Sequence, residues 1–120
     1  MQPRGNPPPD RHQPDEVPAL VEAGALLVDV REAHEFELGR PGGAVNVPRS
    51  GLEREAGGAL PDRDRTLLLI CEVGIRSRLA RDVLRRLGYR DVRNVEGGFR
   101  RWVERGLPVE LETGGLTEPE

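Results

Sequence analysis

The chain has 120 residues, of which 18 are basic and 21 acidic, so its formal net charge is −3. Every base is an arginine, which excludes chemistry that needs a lysine, such as Schiff-base formation or a Walker-type phosphate loop. One cysteine, Cys71, and two histidines are too few for a four-ligand structural zinc site, and no internal disulfide can form. Covalent sulfur chemistry in this chain must therefore use Cys71 alone.

The composition also bears on compartment and partners. No stretch approaches the roughly 18 apolar residues that a membrane-spanning helix needs, and residues 1–14 lack the apolar centre of a secretory signal. A lone cysteine is typical of a reducing compartment, so we expect a cytoplasmic protein. Because the net charge is acidic, we expect no nucleic-acid partner, and we expect no membrane partner either.

Both ends of the chain differ in composition from its centre. Residues 1–14 are rich in proline and nearly free of apolar side chains, which predicts a disordered N-terminal tail. Residues 112–120 are predicted to form a flexible C-terminal tail. The folded domain is therefore predicted over residues 15–111.

Within this domain, helix and strand signals alternate. Asp15 is predicted to cap a first helix that ends at Gly24 and turns Leu20 and Val21 inward. Further along the chain we predict strands over residues 25–28, 44–47, 67–70 and 91–95, helices over residues 32–38, 77–87 and 99–105, and one helical turn within residues 50–60.

The most hydrophobic run, residues 67–70, is predicted to be the central strand. The helix after it is predicted to end at Gly88, with an inward face formed by Leu79, Ala80, Val83, Leu84 and Leu87. Regular alternation of this kind predicts an α/β fold, with a central parallel sheet and helices on both of its faces.

The segment between the central strand and this helix carries the strongest chemical signal. Cys71 follows the strand directly, at the sheet edge where parallel α/β folds bind ligands. A short loop with Gly74 can turn its amides inward, and those amides, the helix dipole and Arg76 would all favour a Cys71 thiolate. The alternative is that Cys71 only extends the strand as a small buried hydrophobe. His34 is expected to be solvated, so a Cys–His pair is poorly supported.

Several motifs, in this order and spacing, resemble the rhodanese (thiosulfate sulfurtransferase) family. They are residues 27–32, 43–48, 71–77, 87–89 and 95–99, together with Trp102, and the likeness extends over roughly residues 15–110. The resemblance implies a rhodanese-like fold, in which Asp29 and Arg31 anchor loops and Gly97 with Gly98 allows a close turn. Phe99 and Trp102 are expected in the core. Arg40 stands where the family often has a histidine, in the loop before the second predicted strand. The contacts at the rim of this loop are therefore expected to differ from those of the family, whereas the Cys71 loop is not affected.

The resemblance also implies a two-step sulfur transfer. Cys71 is the expected nucleophile: it takes a sulfane sulfur from thiosulfate or a related anionic donor and passes it to cyanide, a thiol or an acceptor protein. The substrate-binding residues are expected to be the six that follow it, Glu72, Val73, Gly74, Ile75, Arg76 and Ser77. Their amides would hold the persulfide, and Arg76 would bind the oxyanion end of the donor. No metal or organic cofactor is required.

Three alternatives remain open at this point. Phosphatases of related architecture place an arginine six positions after the cysteine, but Arg76 is only five after Cys71, a shorter loop that favours a single sulfur atom. The chain could also be a persulfide carrier, or a binding module without catalytic activity.

Residues 76–105 have a local net charge of +6. Their arginines would either attract small anions to the site or only form solvent-exposed helix faces.

Overall fold

Short strands and helices alternate along the chain, and the computed structural model describes them over residues 8–111. The strands are β1 (Arg11–His12), β2 (Leu26–Asp29), β3 (Arg40–Pro41), β4 (Val45–Asn46), β5 (Leu67–Ile70), β6 (Val92–Val95) and β7 (Val109–Glu110). The α-helices are α1 (Val17–Glu22), α2 (Ala33–Leu38), α3 (Leu52–Ala59), α4 (Ile75–Arg86) and α5 (Gly98–Glu104). Short 3-10 turns at Pro14–Glu16 and Arg49–Gly51 precede α1 and α3.

Five of these strands form one parallel sheet in the order β1-β6-β5-β2-β4. Strand β5 lies in the middle, and all four of its residues are buried because neighbouring strands and helices cover it on every side. The predicted central strand and the predicted parallel α/β architecture are therefore confirmed. Strands β3 and β7 pair separately in an antiparallel ribbon.

The two faces of the sheet bury two separate apolar clusters. Successive side chains of a strand point to opposite faces, so Leu67 and Leu69 join the cluster under α3 and α4. Leu68 and Ile70 join the other cluster, under α1 and α5, which also contains Trp102. Trp102 is thus a core residue, as predicted. Helices lie on both faces, and Cys71 leaves the sheet at the carboxyl end of β5.

The N-terminal segment differs from its prediction. Residues 11–14, which we predict to be disordered, are ordered: β1 forms the sheet edge beside β6, and Pro14 is buried. The amide of Asn94 donates to the carbonyl oxygen of Asp10 (2.8 Å), and that of Glu96 to His12 (2.9 Å). An edge strand held by backbone hydrogen bonds needs no apolar side chains, so composition did not indicate it. Residues 1–7 and the predicted C-terminal tail, 112–120, lie outside the described residues.

The first helix also departs from expectation. Asp15 does not cap it, because a 3-10 turn precedes α1 and the Asp15 carboxylate pairs with Arg105 at 3.0 Å. The buried residue of α1 is Val17, whereas Leu20 is only partly buried and Val21 is exposed.

Two later helices are longer than predicted. Helix α3 has eight residues instead of a single turn, because Leu52 and Ala56, four positions apart, both pack into the core on one helix face. The two glycines that follow Ala56 do not prevent this. Helix α4 begins at Ile75, two residues early, and its fully buried positions include Ser77. Leu79, predicted to face inward, is exposed. None of the helices in the described part of the chain is long and apolar enough to cross a membrane.

Candidate functional site

Cys71 lies at the first turn beyond β5, and its side chain is buried with 1% of its surface exposed. Its sulfur receives hydrogen bonds from the amides of Gly74 (3.1 Å) and Ser77 (3.3 Å), and the hydroxyl oxygen of Ser77 lies 3.4 Å from it. Two amide donors at one sulfur atom stabilise negative charge on it. The predicted inward turn of the loop is therefore present.

The loop adopts this shape because of Gly74. Its φ of +99° lies in the left-handed region, which costs a residue with a side chain, and it directly precedes the first turn of α4. This conformation turns the amides of Gly74 and Ser77 toward the sulfur. Of the predicted binding residues, Val73 and Ile75 instead present exposed side chains around the loop, and Glu72 is half-exposed.

A second turn, at Gly97 and Gly98, supports the loop from behind. The amides of Phe99 and Arg100 donate to the carbonyl oxygens of Cys71 (2.7 Å) and Glu72 (3.0 Å). A Cβ atom on Gly98 would lie 2.5 Å from both carbonyl oxygens, which only a glycine avoids. The close turn predicted at these two glycines is confirmed.

Asn94 is a site residue that the sequence analysis missed. It is buried on β6, and its carbonyl oxygen accepts a hydrogen bond from the Ser77 hydroxyl group. Its amide nitrogen donates to the carbonyl oxygen of Gly74 (3.3 Å) and to Glu96 (2.9 Å). The sequence signal that could have found it was an amide side chain inside the strand predicted over residues 91–95.

Arg76 does not point freely into the site but forms a two-pronged ion pair with Glu35 of α2. The distances are 2.8 Å from Nη1 to Oε1 and 3.1 Å from Nη2 to Oε2. These hydrogen bonds lower the pKa of Glu35 to about 2 and raise the pKa of Arg76. Sequence reasoning missed Glu35, because 41 residues separate it from its partner.

Arg31 is a second guanidinium near the loop, and unlike Arg76 it is buried. It binds Asp29 (2.7 Å from Nη2 to Oδ2) and the carbonyl oxygen of Gly39 (2.7 Å), as the predicted anchoring role requires. It also stacks on Phe99, with 4.6 Å from its central carbon to the ring centre. The prediction that Phe99 is a core residue is incomplete, because the ring both packs against the second apolar cluster and faces a cavity.

This cavity, beside the Cys71 loop, has a volume of about 300 Å³. It is lined by Arg31, Glu35, Leu38, Gly39, Glu72 and Phe99. The cavity wall therefore includes two carboxylates, one guanidinium and one aromatic ring. One of the two carboxylates is that of Glu35, which binds Arg76.

The remaining candidates lie away from the sulfur. Arg40, at the position of the family histidine, approaches Glu110 of β7 (3.5 Å) and donates to the carbonyl oxygen of Phe36 (3.1 Å). It thereby ties α2 to the antiparallel ribbon. His34 is exposed on α2, as predicted.

The arginines of the basic segment, residues 76–105, are extensively paired with acids from other parts of the fold. Besides Arg76, the pairs include Arg85 with Asp10 (2.8 Å), Arg90 with Asp64 (3.3 Å) and Arg105 with Asp15 (3.0 Å). The local positive charge of the sequence is thus reduced in the folded chain.

Comparison with known proteins agrees with this geometry. A family profile of the rhodanese-like domain matches residues 13–105. Protein YqhL of Bacillus subtilis is 38% identical over 78 residues, which cover 65% of this chain and 60% of that protein. This chain thus spans less than two thirds of that relative. The thiosulfate sulfurtransferase GlpE of Shewanella oneidensis is 37% identical over 86 residues, covering 71% of this chain and 83% of GlpE.

Solved structures show the same fold. A rhodanese-related protein from Thermoplasma volcanium superposes with a TM-score of 0.76 at 31% identity, covering 86% of this chain and 99% of that one. With the profile spanning most of the chain and a relative such as GlpE largely covered, the chain belongs to the rhodanese-like domain family.

Proposed function

We propose that this chain is a sulfurtransferase that carries a sulfane sulfur on Cys71. The Cys71 thiolate attacks the outer sulfur of a donor such as thiosulfate, and the bond between the two donor sulfurs breaks. Sulfite leaves with the bonding electron pair, and the enzyme retains a Cys71 persulfide. A thiolate or cyanide then attacks the terminal sulfur and restores the Cys71 thiolate. No electrons are lost or gained overall.

The observation that supports this proposal is the pair of backbone amides that donate to Cys71 Sγ. The Gly74 and Ser77 amides are fixed by the backbone, so they stabilise a thiolate without further reorganisation. The same donors would lie close to a persulfide formed at that sulfur. Because Cys71 is the sole cysteine, no second thiol of this chain can receive the sulfur, which must pass to another molecule.

The cavity of about 300 Å³ beside the loop supports binding of a small donor or acceptor. Glu72 lines it, and the exposed side chains of Val73 and Ile75 lie in the same loop. The donor-binding role of Arg76 remains a proposal, and it requires the guanidinium to be shared with or released from Glu35.

Mass spectrometry of the intact chain tests the proposal. Incubation with a sulfane-sulfur donor, thiosulfate or an organic persulfide, should add one sulfur atom to the wild type and none to Cys71→Ser. Addition of cyanide should then remove the sulfur and form thiocyanate. A wild-type chain that gains no sulfur from either donor would contradict the proposal and favour a binding module.

Two further assays test the remaining alternatives, a persulfide carrier and a phosphatase. A persulfide carrier would load sulfur but transfer it slowly to cyanide, whereas a sulfurtransferase would complete many cycles. Hydrolysis of an aryl phosphate should be negligible, because the Cys71–Arg76 loop is one residue shorter than the phosphatase arrangement. Robust phosphate release would overturn the assignment of the site to sulfur chemistry.

A further inference from the structure

The ion pair between Glu35 and Arg76 determines which charges a sulfur donor meets beside Cys71. We propose that Glu35 makes this site select against dianionic donors such as thiosulfate, in favour of organic persulfides whose remaining groups are neutral or cationic. The inference rests on the proposed persulfide chemistry and narrows its donor class. In either case the donor gives up its outer sulfur to the Cys71 thiolate, and sulfite or an organic thiolate leaves.

The first step of the argument is that Arg76 is already occupied. Both of its terminal nitrogens bind the Glu35 carboxylate, at 2.8 Å and 3.1 Å, in the same two-pronged geometry that a sulfonate would use. The carboxylate is also held in place by the amide of Glu32, which donates to Oε1 at 2.9 Å. An incoming oxyanion must therefore displace a fixed carboxylate that lies in the same cavity wall.

The second step is the charge of the surrounding groups. Arg31 is neutralised by the buried carboxylate of Asp29 and also lies 3.7 Å from Glu72. Asp29, Glu35 and Glu72 together carry one more charge than the two guanidinium groups of Arg31 and Arg76. A dianion that enters the cavity meets this excess of negative charge, whereas a donor with a neutral or ammonium-bearing group does not.

The third step is that the charge of Glu35 persists under working conditions. Because the guanidinium of Arg76 holds the pKa of Glu35 at about 2, the side chain stays ionised throughout the pH range in which a thiolate reacts. Changing the pH of the assay will not release Arg76, so a substitution is needed.

Glu35→Gln is the sharpest test. Glutamine keeps an oxygen that can accept the Glu32 amide, but it loses the charge that holds Arg76. We expect the rate of Cys71 sulfur loading from thiosulfate to rise about tenfold or more, while loading from 2-hydroxyethyl persulfide changes less than about threefold. Glu37→Gln is the matched control, because Glu37 is exposed on the same helix and its substitution removes the same charge. The double variant Glu35→Gln, Arg76→Gln should lose the gain, because the gain requires the guanidinium that Glu35 otherwise occupies.

The outcomes separate the two proposals. If the wild type loads from neither donor, the proposed function fails. If it loads from both and Glu35→Gln behaves like Glu37→Gln, the sulfurtransferase assignment stands and the donor selection is overturned. If the Glu35→Gln variant does not fold, a measurement on the wild type alone still tests the inference. Thiosulfate loading should rise with ionic strength as salt screens the repulsion, and a decrease would contradict the inference.

Discussion

The hydroxyl group of Ser77 lies between Cys71 Sγ, at 3.4 Å, and the side-chain oxygen of Asn94, with which it shares a hydrogen bond. The Asn94 nitrogen faces two acceptors, the Gly74 carbonyl oxygen and the Glu96 carboxylate, which leaves its oxygen toward Ser77. A hydroxyl group has one proton, and because the Asn94 oxygen can only accept, Ser77 donates that proton to Asn94 and not to the sulfur. Ser77 thereby links the surroundings of Cys71 to strand β6.

Ser77→Ala is expected to slow the reaction of Cys71 and to destabilise the fold. The hydroxyl group holds Asn94, whose amide nitrogen binds the carbonyl oxygen of Gly74. Its loss should loosen the turn that aims the Gly74 amide at the sulfur, so the rate of alkylation by iodoacetamide at neutral pH should fall severalfold. The buried oxygen of Asn94 loses its partner, which should lower the free energy of unfolding by about 1–3 kcal/mol. Alkylation followed by mass spectrometry, and urea denaturation, measure the two effects.

Ser50→Ala is the control for that variant. Ser50 is exposed and its hydroxyl group binds Glu32 (2.7 Å), so the change should alter stability by less than about 0.5 kcal/mol. It should not change the alkylation rate. Equal alkylation rates in Ser77→Ala and the wild type would show that the hydroxyl group does not help to hold the amide donors of the thiolate in place.

Gly98→Ala is expected to disrupt the site. The added Cβ atom would meet the carbonyl oxygens of Cys71 and Glu72 at 2.5 Å, at a backbone φ of +61°. Strain and the clash should together cost more than about 3 kcal/mol in free energy of unfolding. Gly106→Ala is a matched control, because its φ is +71° but its Cβ atom meets open space. It should cost about 1 kcal/mol, and equal losses in the two variants would argue against the close contact.

Removal of residues 1–12 is expected to weaken the sheet edge. The truncated chain loses the acceptors of the Asn94 and Glu96 amides on β6, so the free energy of unfolding should fall by about 1–2 kcal/mol. Arg11→Ala is the control, because it keeps the backbone of β1 and changes only an exposed side chain. Thermal or urea denaturation of the three chains measures the difference. A truncated chain as stable as the full chain would show that β1 contributes nothing.

The parts of the site that the sequence predicted are local ones. Strand β5, the position of Cys71 and the turn at Gly74 follow from one apolar run and the glycine after it, within a few residues. The close turn at Gly97 and Gly98 was likewise indicated by its own two residues.

The parts that the sequence did not predict depend on which elements become neighbours. Asn94 reaches Ser77 because β6 lies next to β5, and Glu35 reaches Arg76 across 41 residues. Neither pairing leaves a periodic signal, since each polar residue is also compatible with a surface position. Strand β1 escaped prediction because backbone hydrogen bonds and polar side chains hold it, with no apolar run in its sequence.

The ion pair of Glu35 with Arg76 predicts a pH dependence of stability. Because the folded protein lowers the pKa of Glu35 from its ordinary 4.5 to about 2, the pair stabilises the fold fully above pH 4.5, and this contribution is lost as the pH falls toward about 2. The side chains of Glu35 and Arg76 are 28% and 36% exposed, so solvent screening limits the contribution of the pair to the free energy of unfolding to about 1 kcal/mol. Urea denaturation should therefore show Glu35→Gln less stable than wild type at about pH 7, with the gap narrowing below pH 4.5. Glu37→Gln should show no such convergence, and a gap for Glu35→Gln that stayed constant down to about pH 2 would contradict the assigned pairing.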